Sequence, residues 1–313
     1  MLIGEVHTGL LQHSTSLRIA DAVQLLGLVE GAEVASSLRP ASHAVSPEVA
    51  EGVDCMLPSA SGRRTRCVGA ALSRALIGGG RVVQGSVAAR LEQSAAGRRL
   101  SWSHYIARAG HLEAIGRTDW DDVVTGFLRP RPGVEPADTL SLGGIADRLI
   151  DRVQRNDLLD RRAPLRSRRT QLRWTVRVDE RFAQSGRATF TMGADGLRTV
   201  ELELAPHEAP AAQELCEDLA LHDWLLTTVA RFIEDVTSSP RPVEDKAGQL
   251  RPVVEQLLHL WMPGARVNPA LLPVWDVFER RPGFTRQWTT SVEWIRDQVA
   301  SGTIALLQRA AAR

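Results

Sequence analysis

The chain has 313 residues, of which 43% are hydrophobic and 24% are charged, and its formal net charge is +1. This composition excludes wholesale disorder and fibrous repeats, and the balanced charge excludes a global bias toward nucleic acid or acidic membranes. One ratio is unusual, since Lys246 is the only lysine among 38 basic residues. Because the arginines occur throughout the chain with abundant Ala, Gly, Val and Leu, we attribute the ratio to GC-rich codons rather than to function.

Nothing in the sequence indicates export or membrane insertion. The opening segment has no basic start, and Glu5 and His7 interrupt its apolar run, so it is not predicted to be a signal peptide. No run of 18 apolar residues occurs, which predicts no membrane span. The three cysteines are too few for a disulfide scaffold. These features favour a cytoplasmic protein.

Residues 1–128 are predicted to form a mixed, β-rich N-terminal domain. Short alternating runs between Gly, Ser and Pro clusters indicate strands and turns. The clearest strand covers 81–91 and follows three glycines at 78–80. In chain order we predict a strand at 1–13, a helix at 16–26, strands over 30–100 with one helix at 69–77, strands at 102–108 and 111–116, and a helix that opens at 118–121.

A proline-rich stretch at 129–142 is predicted to be a linker to a second domain, residues 143–313. A helix is expected at 143–155. Alternation over 170–204 predicts a three-stranded antiparallel β-meander with one buried face. After about residue 207, apolar residues recur every three or four positions, which predicts a bundle of about four helices. The predicted fold class is therefore α+β.

The most unusual local feature is a basic segment. Residues 148–187 contain twelve arginines and five acidic residues, a net charge of +7. Guanidinium groups hold phosphates through charge-assisted hydrogen bonds. The part that lacks acidic residues, 161–177, is therefore a candidate phosphate-binding site, made of Arg161, Arg162, Arg166, Arg168, Arg169, Arg173 and Arg177.

Two structural alternatives for these arginines stay open. Arg173 and Arg177 are expected on the same strand face as Glu201 and Glu203, so they could form cross-strand ion pairs. In addition, residues 208–236 carry a net charge of −6, so the basic and acidic segments could face each other. A base-stacking platform is not indicated, because the alternation points Trp174 inward.

Candidate acid–histidine pairs occur on helices and on the first strand. Asp218 and His222 share a helix face, as a carboxylate-oriented base or metal ligand requires, but His222 also lies in the apolar stripe. We therefore interpret His222 as a buried core histidine. Glu255 and His259 repeat this spacing without enough accompanying carboxylates for a metal site. Glu5 and His7 alternate onto one strand face as a candidate acid/base pair, and no metal or cofactor is predicted.

The C-terminal part is rich in tryptophan. These side chains are expected mainly to anchor the core. Trp288 and Trp294 are six residues apart and cannot share one apolar stripe, so one of them is expected to be exposed. Exposed tryptophan beside arginine is typical of protein–protein hot spots. Trp288, Trp294, Arg281 and Arg286 are therefore candidate partner-binding residues.

Several segments together carry a family resemblance, among them GEVHTGLLQ, SPEVAEGVDCMLPSASG, LSWSHYIARAG, EDLALHDWLLTT and LLHLWMPGARV. The chain resembles, nearly end to end, an uncharacterised actinobacterial family of about this length. That family is encoded in a conserved cluster beside a variant P-loop protein and a SAM-dependent methyltransferase-like protein. The resemblance implies a component of a multi-protein system, with other products of the same gene cluster as partners. It implies no catalytic residue.

No recognisable catalytic motif occurs: the chain lacks a G-x-S-x-G, Walker A or dinucleotide fingerprint. The leading hypothesis is a non-enzymatic interaction or adaptor component of a multi-protein cytoplasmic system. The first alternative is a nucleic-acid or phosphate-ligand binding protein that uses the segment 161–177. The second alternative is an enzyme of unknown class that uses His222, Asp218, Glu5 and His7. No membrane partner is expected.

Overall fold

A computed structural model describes residues 1–130, 137–182, 187–240 and 242–311. These residues form a mixed sheet of ten strands with helices on both faces, which confirms the α+β class. The strands are β1 (Leu2–Leu10), β2 (Ala35–Ser37), β3 (His43–Val45), β4 (Val49–Met56), β5 (Arg66–Gly78), β6 (Val82–Gln93), β7 (His111–Ile115), β8 (Thr170–Val178), β9 (Arg187–Met192) and β10 (Arg198–Leu204). The helices are α1 (Ile19–Leu25), α2 (Trp102–Ile106), α3 (Trp120–Leu128), α4 (Leu142–Gln154), α5 (Ala212–Ser238), α6 (Val243–Gln256), α7 (Leu272–Arg280) and α8 (Phe284–Ala311).

Strand β1 lies in the middle of the sheet. It pairs antiparallel with β6 on one side, where Leu2 is opposite Arg90, and with β8 on the other, where Thr8 is opposite Thr170. Beyond β8 come β10 and the edge strand β9, and beyond β6 come β7, β5, β3 and β2, with β4 also paired to β5. Strands from before and after the predicted linker thus belong to one sheet. Of that linker, residues 131–136 lie outside the described residues.

The central strand is covered on both faces. Val6 and Leu10 contribute to a hydrophobic core with α5, whereas Ile3 contributes to a core with α3 and α4. Successive side chains of a strand point to opposite faces, so this alternation places α4 and α5 on opposite faces of β1. Glu5 and His7 share the parity of Ile3 and therefore point toward α4.

Two predicted elements have the wrong type of secondary structure. The predicted helix at 69–77 is wrong, because this segment belongs to β5, whose buried residues face packing partners on both sides and so lose the alternation of a half-exposed strand. The predicted strand at 102–108 is also wrong. Here Trp102 and Tyr105, three residues apart, contact each other edge-on in the short helix α2, and the Tyr105 hydroxyl accepts a hydrogen bond from the Leu100 amide.

The three strands predicted over 170–204 are present, but they do not follow one another as a simple meander. Strand β10 pairs in parallel with β8, and β9 pairs antiparallel with the outer side of β10. Alternation assigns faces to strands and leaves their lateral order open. The four predicted C-terminal helices are present as α5 to α8. Within the described ranges, none of the helices has both the length and the apolar character that crossing a bilayer requires.

Candidate functional site

A groove of about 760 Å³ lies where β1 ends and β8 begins. One wall is the irregular segment 163–169, and the other is formed by residues 228–235 of α5. Its volume is in the range of small-molecule sites, roughly 300–1,000 Å³. The charged residues that line it are Arg166, Arg168, Arg169, Arg231, Glu234 and Asp235.

The wall before β8 is fixed although it has no regular secondary structure. Leu165 is buried in the core, and the Trp224 indole N–H donates to the Arg168 carbonyl oxygen at 3.0 Å. The stem of Arg169 lies against Gly9, where a Cβ would come within 3.0 Å of Arg169 Cγ. These anchors hold the backbone on either side of Arg166 and Arg168, whose side chains are exposed.

Three of the groove arginines lack a direct partner for their guanidinium groups within the described part of the chain. Among the described residues, Arg166, Arg168 and Arg231 have no side-chain hydrogen bond and no ion pair. The Ser167 hydroxyl oxygen is buried and also lacks a hydrogen-bond partner there. Buried polar atoms are normally satisfied, so this hydroxyl is an exception, and the unpaired guanidinium groups beside it are donors of the kind that hold an oxyanion.

The seven arginines of the predicted phosphate site are only partly brought together. Arg166, Arg168 and Arg169 line the groove. Arg161 forms an ion pair of 3.6 Å with Asp157, and Arg162 is exposed outside the groove.

The remaining two arginines lie on β8 and have partners elsewhere. Arg173 donates to Glu5 Oε2 at 3.1 Å and to the Phe127 carbonyl oxygen at 2.8 Å. Arg177 forms an ion pair of 2.8 Å with Asp121.

Sequence reasoning missed Arg231 as a groove residue. Its only signal was that it is the single cation within the acidic stretch 208–236. Its position in the groove depends on how α5 packs against β1 and β8. No local sequence pattern predicts that packing.

The expected pairing of Arg173 and Arg177 with Glu201 and Glu203 is wrong, because their carboxylate partners come from β1 and α3 instead. The parallel register of β10 and β8 places Glu201 opposite Thr175. It does place Glu203 opposite Arg177, but the guanidinium group of Arg177 pairs with Asp121 of α3.

The basic and acidic segments face each other across the groove, where Glu234 and Asp235 lie opposite the arginines of segment 163–169, but they are not joined by direct ion pairs among the described residues. Within the described part of the chain, no ion pair joins residues 161–177 to residues 208–236. Three acids of α5 are instead paired with arginines from other elements: Glu217 with Arg74 at 2.8 Å, Asp218 with Arg266 at 3.3 Å, and Asp223 with Arg198 at 2.6 Å. Arg166, Arg168 and Arg231 are exposed to solvent, whereas Arg169 is paired with Asp147 and Asp151 of α4.

Glu5 and His7 form a buried contact next to the groove. His7 Nε2 lies 2.9 Å from Glu5 Oε1, and His7 Nδ1 lies 2.9 Å from Asp147 Oδ1 on α4. Burial alone would lower the pKa of His7, but hydrogen bonds and charges from Glu5 and Asp147 outweigh it, so the pKa is raised. The pair is sealed from solvent, since His7 is 1% and Glu5 2% exposed.

His222 occupies the core position that its place in the apolar stripe predicts. It is 1% exposed, and its ring meets Trp261 and Trp275 edge-on. Nδ1 donates to the Asp218 carbonyl oxygen at 2.7 Å, and Nε2 accepts from the Met262 amide at 3.3 Å. Burial lowers its pKa, which keeps the ring neutral. Both nitrogens are therefore occupied by the protein.

The second helical pair is not assembled into a site either. Glu255 forms an ion pair with Arg251 at 2.7 Å. Over the described ranges, no three side chains of His, Cys, Asp or Glu converge as metal ligands.

The candidate partner-binding residues are divided between core and surface. Trp288 is 7% exposed and stacks on Trp261, with ring centroids 4.3 Å apart. Trp294 is half-buried against the same core. Arg281 and Arg286 are exposed. Trp288 thus stabilises the helical part, and the fully exposed members of the candidate set are the two arginines rather than a tryptophan.

The chain matches no protein-family model, no curated protein and no solved structure.

Proposed function

We propose that the protein binds a small phosphorylated ligand in the groove between segment 163–169 and α5. The observation that carries this proposal is the convergence of Arg166, Arg168 and Arg231, none of them paired among the described residues, on one groove of about 760 Å³. A phosphate group accepts paired hydrogen bonds from guanidinium groups, and arginine provides these donors in a planar fork.

The acidic residues of the groove limit the ligand class. Glu234 and Asp235 lie in the same groove as the arginines and would repel a continuous polyanion. They would accept hydrogen bonds from hydroxyl or amino groups. A phosphate ester that also carries such donors, for example a sugar phosphate or a nucleotide, matches both sets of charges better than duplex DNA does.

Calorimetric titration with inorganic phosphate, glucose 6-phosphate and AMP tests this proposal. We expect saturable binding, tighter for the esters than for phosphate alone, and a loss of about tenfold in affinity in Arg168→Ala, the usual scale for a hydrogen bond to a charged group. Arg162→Ala is the matched control, because Arg162 is exposed but does not line the groove. Equal affinities of the two variants, or no saturable binding of any probe, would overturn the proposal.

Labelled RNA and duplex DNA form the second arm of this experiment. A polymer that fills only this groove is expected to bind weakly and without a steep salt dependence. Tight binding that falls steeply with salt and is lost in Arg168→Ala would instead favour the nucleic-acid alternative.

The adaptor role predicted from the sequence is our second candidate function. Its support is a set of exposed apolar side chains toward the end of α8: Val299, Ile304, Leu306 and Leu307. An apolar helix end flanked by exposed arginines fits the groove of a partner protein that accepts helical anchors. Co-purification at native expression levels tests it, with Leu306→Glu/Leu307→Glu as the variant. The idea fails if the tagged wild-type protein is recovered alone.

A further inference from the structure

His7 is connected to the groove through a continuous chain of contacts. Asp147 Oδ1 lies 2.9 Å from His7 Nδ1 and 3.1 Å from an Nη atom of Arg169. The other Nη atom of Arg169 donates to Asp151 Oδ1 at 2.6 Å. Since Arg169 lines the groove, one carboxylate is shared between a buried imidazole and a groove cation.

Both ring nitrogens of His7 face carboxylates. Nε2 lies against Glu5 and Nδ1 against Asp147, so both nitrogens donate when the ring is an imidazolium. The charged groups around the ring are Glu5 from β1 and Asp147 from α4, and behind them Arg173 from β8, Arg169 from the groove wall and Asp151 from α4. With His7 protonated, the three cations and three anions of this network balance.

Loss of the His7 proton changes the charge balance around Asp147. The network then carries one uncompensated negative charge, and Arg169 is the one cationic partner that Asp147 retains among the residues that the structure describes. That carboxylate therefore attracts Arg169 more strongly and lowers the positive potential of the groove wall.

We propose that protonated His7 is a positioning residue for the groove, which shares Asp147 with Arg169 and leaves the Arg169 charge available to a bound phosphate or sulfate. The inference rests on the proposed function of the groove. His7 itself does not touch the ligand, because its side chain is sealed from solvent.

The direction of the pH effect follows from the network. Because Glu5 and Asp147 raise the pKa of His7 above its ordinary value of 6.5 in spite of burial, the ring loses its proton above pH 6.5. Anion binding is therefore full on the acid side and weakens as the pH rises through the raised pKa.

Sulfate is the probe for this inference, since its charge is constant between pH 6 and pH 9 whereas phosphate titrates in this range. We expect the dissociation constant of sulfate to rise about two- to threefold across the His7 transition, the effect of one charge at on the order of 8 Å near water. His7→Gln should remove this step. His104→Gln is the matched control, because His104 also pairs with a carboxylate, Glu113, but the other partners of Glu113, Arg108 and Ser94, do not line the groove.

A second measurement uses the wild-type protein alone, in case His7→Gln folds poorly. Binding and protonation are linked reciprocally, so saturating sulfate should raise the pKa of His7 measured by NMR. An unchanged pKa of His7 in saturating sulfate would overturn the inference, as would a persistent pH step in folded His7→Gln. These outcomes leave the groove proposal intact, whereas the absence of saturable binding of phosphate, the esters and sulfate at every pH would overturn both.

Discussion

Trp224 on α5 donates its indole N–H to the carbonyl oxygen of Arg168, 3.0 Å away in the segment before β8. Trp224 is 0% exposed, so this hydrogen bond joins a buried helix residue to a wall of the groove. The wall has no regular backbone ladder of its own, and its position therefore depends on such single contacts.

Replacing Trp224 with Phe removes this donor and part of the packed volume. We expect a loss of about 1–3 kcal/mol in the free energy of unfolding, because the Arg168 carbonyl loses its partner. We also expect weaker binding of phosphorylated probes, since the loop loses an anchor. Urea unfolding and calorimetric titration measure the two effects. Trp120→Phe is the control, since Trp120 packs against a different core cluster. Unchanged probe binding in Trp224→Phe would refute this role.

Alanine substitutions at two neighbouring glycines of α4 should have opposite effects on stability. A Cβ on Gly143 would collide with Glu5 Oε1 and lie 2.9 Å from His7 Nε2, so Gly143→Ala should cost about 1–3 kcal/mol of stability by overpacking. The atoms nearest to a Cβ on Gly144 belong to side chains, Ser141 Oγ at 3.0 Å and the end of Arg148 at 3.8 Å. A small shift of Ser141 relieves this contact, so Gly144→Ala should gain up to about 1 kcal/mol from helix propensity. Urea unfolding of both variants measures this contrast, and a destabilisation of equal size in both would contradict it.

Removing one partner of the buried ion pair between Arg198 and Asp223 should strongly lower the free energy of unfolding. Burial raises the pKa of Asp223, and the charge of Arg198 opposes this rise, so the carboxylate depends on its partner. Arg198→Met should lose about 3–5 kcal/mol in the free energy of unfolding, because it leaves an unpaired buried acid.

The double variant Arg198→Met/Asp223→Leu provides the control for this prediction. It removes both charges, so it should recover a large part of the loss. A double variant as unstable as Arg198→Met alone would show that the charge of Asp223 is not the cause.

His222 should make the fold sensitive to acid. Burial holds the pKa of His222 below 6.5, so below that pH the unfolded chain binds a proton that the folded protein does not. The free energy of unfolding should therefore decrease as the pH falls from about 6.5 through the lowered pKa. His222→Gln should be less stable at pH 7 but show a shallower decrease.

Unfolding free energies between pH 5 and pH 8 measure this dependence on His222. His207→Gln serves as the control, because His207 is exposed. An identical slope in His222→Gln and wild type would assign the acid sensitivity to other groups.

Local patterns predict the strands that are buried on one face and the long helices whose apolar residues recur every three or four positions. The alternation of β1 placed Glu5 and His7 on one face, and the structure brings them into contact. Their third partner, Asp147, is 140 residues away from His7 in the chain, and no spacing rule connects them. The groove was anticipated only through Arg166, Arg168 and Arg169, since Arg231 reaches it by packing of α5.

The wrong secondary-structure and topology predictions have one physical cause, which is that tertiary contacts decide these features and local sequence patterns do not specify them. Segment 69–77 is buried on both faces, so it lacks the period of two, and its apolar run resembles that of a buried helix. In β8 to β10 the period was clear, yet the parallel pairing of β10 with β8 is a tertiary choice that the pattern does not encode.

The central place of β1 also constrains how the protein is made. Residues Leu2–Thr8 are synthesised before their partner β8, which begins at Thr170, so one edge of β1 stays unpaired while some 160 further residues are translated. An unpaired strand edge is a template for wrong pairing with other chains. During synthesis on the ribosome, the nascent chain therefore passes through a prolonged aggregation-prone stage, and slowing translation before β8 should lower the soluble yield.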